Sequence, residues 1–262
     1  MGRMPTWNAE LYLQFADERT RPCRELAARV AIESPREAID LGCGPGNSTQ
    51  VLVDRWPDAN IVGLDSSPAM IEAARRDHPT RTWLCDDIAK WAAADSQAFD
   101  IVFSNAALQW VPDHPTILPQ IVNKVKRGGA LALQVPGNTH APAHVLMREL
   151  AGSAGWRSRF PAGGVREWHV LDLPAYYDIL APHALRIDAW ETEYLQVLPS
   201  AEAIVDWYRG TGLRPFLDAL ATDEERERFA ADYLTAIRLA FPPRPSGQVL
   251  FPFRRLFVIA YR

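Results

Sequence analysis

The sequence predicts an α/β protein: a Rossmann-like, mostly parallel sheet of seven strands, with helices on both faces and an inserted helical cap. From about Arg36, short apolar segments alternate with helical segments, and this alternation is typical of βαβ units. A glycine-rich turn follows the first apolar segment. After Pro136 the alternation stops, and glycines and prolines stand among short helical pieces, as is typical of an inserted cap.

We expect a single domain, because one hydrophobic core can serve 262 residues. Its predicted parts follow in chain order. They are a helical N-terminal segment (1–35), the half of the sheet that carries the glycine turn (36–136), two helical cap regions (137–183 and 199–247) and the final strands (184–198 and 248–262).

Composition excludes several classes of function. The formal net charge is −4, so no overall positive field attracts a nucleic acid. The apolar runs are far shorter than the roughly 20 residues that a membrane-spanning helix needs, and the first residues lack the apolar core of a signal peptide. The three cysteines form no CxxC pair, which argues against a disulfide framework and a zinc site. We therefore expect a cytoplasmic protein without a metal, a membrane or a nucleic acid as partner.

The glycine-rich turn is the most informative motif. It reads Asp-Leu-Gly-Cys-Gly-Pro-Gly over residues 40–46, so its glycines alternate as G-x-G-x-G. Dinucleotide-binding turns space their glycines as G-x-G-x-x-G, which places a pyrophosphate at a helix N-terminus. The spacing therefore disfavours a nicotinamide or flavin cofactor.

Acidic residues accompany the turn. Asp65 ends the next predicted strand, where a carboxylate accepts hydrogen bonds from ribose hydroxyls. We expect Asp87, at the end of the third strand, to accept from an exocyclic amine while Ile88 packs on the base. We interpret Asp40 as part of the turn and expect it to pair with an ammonium group of the ligand, since its negative charge would repel a phosphate. A ligand with an amino group, a ribose and an adenine is S-adenosylmethionine.

Through these motifs, residues 38–135 resemble the class I S-adenosylmethionine-dependent methyltransferases. The resemblance implies the class I methyltransferase fold and S-adenosylmethionine as cofactor, with S-adenosylhomocysteine as its product form. It implies cofactor contacts at ten residues: Asp40, Gly42, Cys43, Gly44, Gly46, Asp65, Ser66, Asp87, Ile88 and Asn105.

The segment after the fourth predicted strand concerns the methyl acceptor. It lacks the Asn-Pro-Pro-aromatic sequence with which nucleic-acid amino methyltransferases clamp an exocyclic amine. Over nearly its full length, the chain is similar to the branch of the family that esterifies one carboxylate of a small tricarboxylate such as trans-aconitate. The motifs that carry this similarity are Trp-Asn (7–8), Tyr-Leu-Gln-Phe (12–15), Arg-Pro (21–22), Asn-Ala-Ala-Leu-Gln-Trp-Val-Pro-Asp-His (105–114), Gly-Thr-Gly-Leu-Arg-Pro (210–215) and Leu-Phe-Pro-Phe-Arg-Arg (250–255).

A tricarboxylate needs cationic donors when it enters a pocket. Arg214, Arg254 and Arg255 stand among apolar and aromatic residues, so each is either a carboxylate clamp or half of a buried ion pair. The attacking carboxylate is already ionised at neutral pH, so direct in-line transfer of the methyl group needs no general base. We therefore predict no catalytic residue and expect the protein to act by positioning the reactants. An arginine pair on the attacking oxygens would weaken the nucleophile. We therefore expect the arginines on the other carboxylates and neutral donors on the reacting one: Trp110, His169, Tyr208 and Thr211.

Two alternative functions stay open at this point. The first is methyl transfer to another small acceptor, such as a fatty acid or a phenol; a hydroxyl acceptor would favour a base, with His114, His140, His144 and His169 as candidates. The second is a non-catalytic module that senses S-adenosylmethionine. The glycine turn is common to all three functions, and the sequence does not report the oligomeric state.

Overall fold

The computed structural model describes residues 16–95, 97–160, 165 and 168–262, with side chains from Thr20 onward. The first half alternates helices and strands: α1 Ala16–Arg29, β1 Glu37–Leu41, α2 Asn47–Arg55, β2 Asn60–Asp65, α3 Pro68–Asp77, β3 Thr82–Cys85, α4 Ile88–Ala93, β4 Phe99–Asn105, a 3-10 turn Leu108–Trp110, α5 His114–Asn123 and β5 Val125–Pro136. The remaining part of the predicted N-terminal segment, residues 1–15 with the motifs at 7–8 and 12–15, lies outside the described residues.

The second half, after Pro136, contains five α-helices, one 3-10 turn and two long strands among the described residues. They are α6 Pro142–Gly152, α7 Leu173–Leu180, a 3-10 turn Ala181–His183, β6 Arg186–Leu198, α8 Ala201–Arg209, α9 Arg214–Ala219, α10 Asp223–Ala240 and β7 Val249–Tyr261. Strands β6 and β7 fall inside the two segments predicted as final strands.

The seven strands form one sheet in the order β3-β2-β1-β4-β5-β7-β6. Strands β1 to β5 pair in parallel, and β7 runs antiparallel to β5. The predicted seven-stranded, mostly parallel sheet is confirmed. The strand order reverses between β1 and β4, and in open α/β sheets ligands bind at the carboxyl ends of the strands beside such a reversal.

The central strands explain why the sheet is stable. Most residues of β1, β4 and β5 are buried, as expected for parallel strands covered by helices on both faces. A buried hydrogen bond between the Tyr176 hydroxyl and His114 Nδ1, 3.0 Å long, joins α7 to α5 on one face. This packing fixes the strand ends that carry the candidate site.

The described residues divide into two compact units. Residues 17–136, 169–192 and 255–262 form the first, here called the sheet unit. Residues 137–168 and 193–254 belong to the second, here called the helical unit, whose core is rich in aromatic side chains. The predicted cap region 137–183 is thus divided, since its last part, with α7, belongs to the sheet unit.

Candidate active site

The glycine turn connects β1 to α2 in the sheet unit. The backbone N–H groups of Gly42 and Cys43 both donate to Leu64 O, at 2.7 and 3.0 Å. Gly42 has a φ of +76°, and a Cβ on it would lie 2.1 Å from the Cβ of Ala107. Gly44 has a φ of +55°, yet no atom lies within 4 Å of its Cβ position. The turn is therefore closed at Gly42 and presents open backbone at Gly44.

Cys43 and Gly46, the other two residues of the turn that we predicted to contact the cofactor, pack against apolar side chains. The Cys43 side chain is buried against Ile71, Ala74 and Trp83, and burial raises the pKa of its thiol. A Cβ on Gly46 would lie 2.8 Å from the Trp83 ring. Both residues thus belong to the hydrophobic contact beneath the turn, and cofactor contacts at them remain predictions.

Asp40 lies on strand β1 and not within the turn, so our placement of this residue in the turn was wrong. It is completely buried, and Ser48 Oγ and Thr49 Oγ1 donate to its Oδ2 at 2.6 and 2.7 Å. Its Oδ1 has no hydrogen-bond partner among the described residues. Burial raises the pKa of Asp40 to about 6, although the two hydroxyl donors oppose the shift. Asp40 thus fastens the first turn of α2 to the sheet; its pairing with an ammonium stays a prediction.

Asp65 ends β2 and braces the turn from the adjacent strand. Its Oδ2 accepts from Gly44 N at 2.9 Å and its Oδ1 from Ser67 N at 2.8 Å. Burial raises the pKa of this carboxyl against the effect of both N–H donors. Each carboxylate oxygen can accept a second hydrogen bond. Asp65 therefore suits a pair of ribose hydroxyls next to the open face of Gly44, with the exposed Ser66 beside it.

Asp87 has a different local role from the one predicted. Strand β3 ends at Cys85, and Asp87 is the N-cap of α4, where its Oδ1 accepts from Ala89 N and Lys90 N at 2.9 and 3.1 Å. The carboxylate is exposed, and Ile88 is buried in the core. The prediction that Asp87 ends the strand was therefore wrong. The capping hydrogen bonds fix the orientation of its carboxylate. Contact with an exocyclic amine stays a prediction.

Two side-chain amides at the end of β4 and just after it each have a carbonyl oxygen that accepts no hydrogen bond from the described residues. Asn105 Oδ1 and Gln109 Oε1 are buried without a hydrogen-bond partner among the described residues, while Gln109 Nε2 donates to Ala106 O at 2.6 Å. Ala106 has a φ of +54°, and its N–H donates to Gln134 O. A non-glycine residue in this region is strained, which is common at ligand sites. The sequence did not point to Gln109 or Gln134, whose unpaired atoms make them candidates for the site.

Three of the predicted substrate residues lie in the sheet unit. Trp110 is half-buried at the end of the 3-10 turn, and His169 is exposed, with its N–H donating to Gln109 O at 2.8 Å. Arg255 is only 5% exposed, and its Nη1 donates to Gln134 Oε1 at 3.4 Å. Arg255 is therefore a buried cation on β7, directly beside the carboxyl end of β5.

The other four lie in the helical unit. Tyr208 is completely buried, and Thr211 Oγ1 donates to Trp207 O at 3.1 Å. Arg214 forms an ion pair with Asp218 at 3.3 Å, and its side chain is 16% exposed. Arg254 is exposed and lines a cavity of about 340 Å³ together with Asn138, His140 and Glu193.

The candidate bases occupy separate environments. His114 Nε2 donates to Leu108 O at 2.9 Å and its Nδ1 accepts from the Tyr176 hydroxyl, so both ring nitrogens are in use. His144 is buried between the rings of Trp168 and Tyr208, and burial lowers its pKa to about 3. The position of the ring also restricts residue 212 to glycine, because a Cβ there would lie 3.0 Å from His144 Cε1.

The described part of the chain shows neither a metal site nor a membrane-spanning helix. No group of three His, Cys, Asp or Glu residues in that part is arranged to hold a metal ion. None of its helices combines the length and the apolar character needed to cross a membrane.

The turn predicts different outcomes for two glycine substitutions. We expect Gly42→Ala to lower the free energy of unfolding by about 3 kcal/mol or more, because backbone strain adds to a steric clash with Ala107. Gly44→Ala should cost only about 1 to 2 kcal/mol from its φ, yet weaken S-adenosylhomocysteine binding, because the new methyl group fills the open face. Urea unfolding and titration calorimetry measure the two effects. Equal stability losses would contradict this account.

The raised pKa of Asp40 predicts a pH-dependent cost. Between the unfolded value of about 3.9 and the folded value of about 6, the folded protein binds more protons than the unfolded chain. Ionisation of Asp40 therefore lowers the free energy of unfolding as pH rises through this window, by about 3 kcal/mol. Asp40→Asn lacks this term, so its stability relative to the wild type should rise from pH 4 to pH 6 and then level off. Urea unfolding across this range tests it; a constant difference would refute it.

Comparison with known proteins places the chain in a family. A family model for a methyltransferase domain matches residues 39–133. The YcgJ protein from Bacillus subtilis shares the fold with a TM-score of 0.60 at 14% identity, over 92% of this chain and 99% of that one. A trans-aconitate 2-methyltransferase of Azoarcus sp. (strain BH72) is 50% identical over 99% of this chain and 100% of its own length. Another, from Methylobacterium radiotolerans, is 49% identical over 98% of each chain. The chain belongs to the family of trans-aconitate 2-methyltransferases.

Proposed function

We propose that this protein transfers a methyl group from S-adenosylmethionine to one carboxylate of trans-aconitate, giving the monomethyl ester. The observation that carries the proposal is Arg255, a cation only 5% exposed at the sheet edge that also carries the glycine turn. A buried cation suits a substrate with several negative charges. Membership of the family supports the same substrate.

The sheet unit has the groups that the cofactor requires. Gly44 leaves its face of the turn open, and Asp65 has acceptor capacity beside it. The carboxyls of the buried Asp40 and the half-buried Asp65, both with raised pKa, favour a cationic ligand over a phosphate. When bound, S-adenosylmethionine supplies a methyl group on a positively charged sulfur.

The protein's own residues hold the reactants and exclude water. A carboxylate is ionised at neutral pH, so no residue has to remove a proton, and this agrees with the full use of both His114 nitrogens in structural hydrogen bonds. We propose that Arg255, Arg214 and Arg254 bind the carboxylates that do not react. Neutral donors, for which Trp110, Tyr208, Thr211 and His169 are our candidates, leave the attacking oxygen nucleophilic. Positioning then supplies most of the rate.

A mass-spectrometric assay with S-adenosylmethionine and a panel of acceptors tests the proposal. The panel contains trans-aconitate, cis-aconitate, citrate, isocitrate, a fatty acid and a phenol. We expect selective turnover of trans-aconitate. Arg214→Gln and Arg254→Gln should each lower kcat/KM for it by about tenfold to a hundredfold, since each removes a charge-assisted hydrogen bond.

Arg238→Gln is the matched control, because Arg238 also forms an ion pair but its side chain is 60% exposed on α10. It should leave kcat/KM unchanged. Turnover of only the fatty acid or the phenol would replace the proposed substrate. Binding of S-adenosylhomocysteine without any turnover would favour a sensor over an enzyme.

A further inference from the structure

Gln134 is a buried polar residue within an apolar strand. It lies on β5 with no exposed surface. Its Oε1 accepts from Arg255 Nη1, while its Nε2 has no hydrogen-bond partner among the described residues. Buried donors are nearly always paired, because an unpaired one destabilises the fold. An unpaired donor near the carboxyl end of a buried strand therefore points to a ligand.

The strand register places other polar groups on the same face. Gln134 is the register partner of Asn105 on β4 and of Phe257 on β7, and Arg255 precedes Phe257 by two positions. Side chains two positions apart on a strand share a face. Asn105, Gln134 and Arg255 thus point to the same side of the sheet, at the carboxyl ends of β4 and β5.

This group adjoins the glycine turn. Ala106 N donates to Gln134 O, and Ala106 O accepts from Gln109 Nε2. The next residue, Ala107, lies against Gly42. The unpaired donor of Gln134 and the unpaired acceptors of Asn105 and Gln109 therefore lie on segments that contact one another and the turn.

We propose that Gln134 is a specificity-determining substrate ligand, whose Nε2 donates to an oxygen of the carboxylate that Arg255 binds. This inference rests on the proposed function. A carboxylate has two oxygens that only accept, and the Gln134 amide and the Arg255 guanidinium together offer two donor groups. Gln134 Oε1 meanwhile orients the guanidinium. The acceptors of Asn105 and Gln109 disfavour carboxylate oxygens, so they direct the acid toward Gln134 and Arg255.

Two substitutions separate this role from a structural one. Gln134→Glu has nearly the same shape and keeps an acceptor for Arg255, but it replaces the donor with a negative charge. Gln134→Met removes donor and acceptor without adding charge. Gln248→Glu is the control, because it makes the same chemical change at an exposed position. For each protein, trans-aconitate binding is measured by calorimetry with S-adenosylhomocysteine bound, together with KM, kcat and the melting temperature.

We expect both Gln134 variants to bind trans-aconitate at least about tenfold more weakly and to raise KM more than they lower kcat. Gln134→Glu should be the weaker binder of the two. S-adenosylhomocysteine affinity should stay within about twofold, and the melting temperature of Gln134→Glu should not fall, since its bond to Arg255 is retained. Gln248→Glu should match the wild type in every measurement.

Near wild-type binding of trans-aconitate by Gln134→Glu would overturn the inference, because a purely structural role needs only the retained acceptor. That result would leave the proposed function intact, since the wild type would still bind and methylate the acid. Failure of the wild type to bind trans-aconitate, with S-adenosylhomocysteine bound normally, would overturn the proposed substrate and the inference together.

Discussion

The close approach of the turn after β1 to the loop after β4 is the constraint on which the sheet unit's site depends. Only hydrogen fits on the Cα of Gly42, because Ala107 occupies the place of a side chain. This contact brings the turn against the segment that follows β4. Asp65 then holds the turn from β2 through its hydrogen bond with Gly44 N. A rigid backbone surface results at the reversal of strand order, where an open α/β sheet binds its ligand.

The charges around this surface select the ligand. Asp40 is fully buried and Asp65 is half-buried, and burial raises the pKa of each because water solvates the ionised form less well. A cationic ligand lowers the cost of keeping these carboxylates ionised, whereas a phosphate increases it. The arrangement therefore favours a cofactor with an ammonium and a sulfonium over a dinucleotide. The spacing of the glycines in the sequence already disfavoured a dinucleotide.

The sequence predicted the fold more completely than the site, and the difference has a physical basis. Alternating strands and helices leave a periodic pattern of apolar residues, so β1 to β7 were recognisable. The local role of a single polar side chain has no such pattern. From the sequence Asp87 was predicted to end a strand, whereas in the structure it caps a helix by accepting hydrogen bonds from Ala89 N and Lys90 N. The sequence indicates Gln134 only weakly, as one amide residue within an apolar strand. Its lack of a hydrogen-bond partner at Nε2 becomes evident only from the structure.

The balance of charged and uncharged groups around the carboxyl ends of β4 and β5 bears directly on the chemistry. Methyl transfer joins a negative nucleophile to a positive donor, so charge disappears along the reaction path and a site of low polarity favours the transition state. Strong cationic donors on the attacking oxygen would stabilise the ground state more than the transition state. Amide side chains such as Asn105, Gln109 and Gln134 are polar but carry no full charge. Arg255, which sits beside Gln134, then serves best on a carboxylate that keeps its charge throughout. The carboxyl ends of β4 and β5 thus combine one buried cation, Arg255, with uncharged amide groups, as the proposed binding of the acid requires.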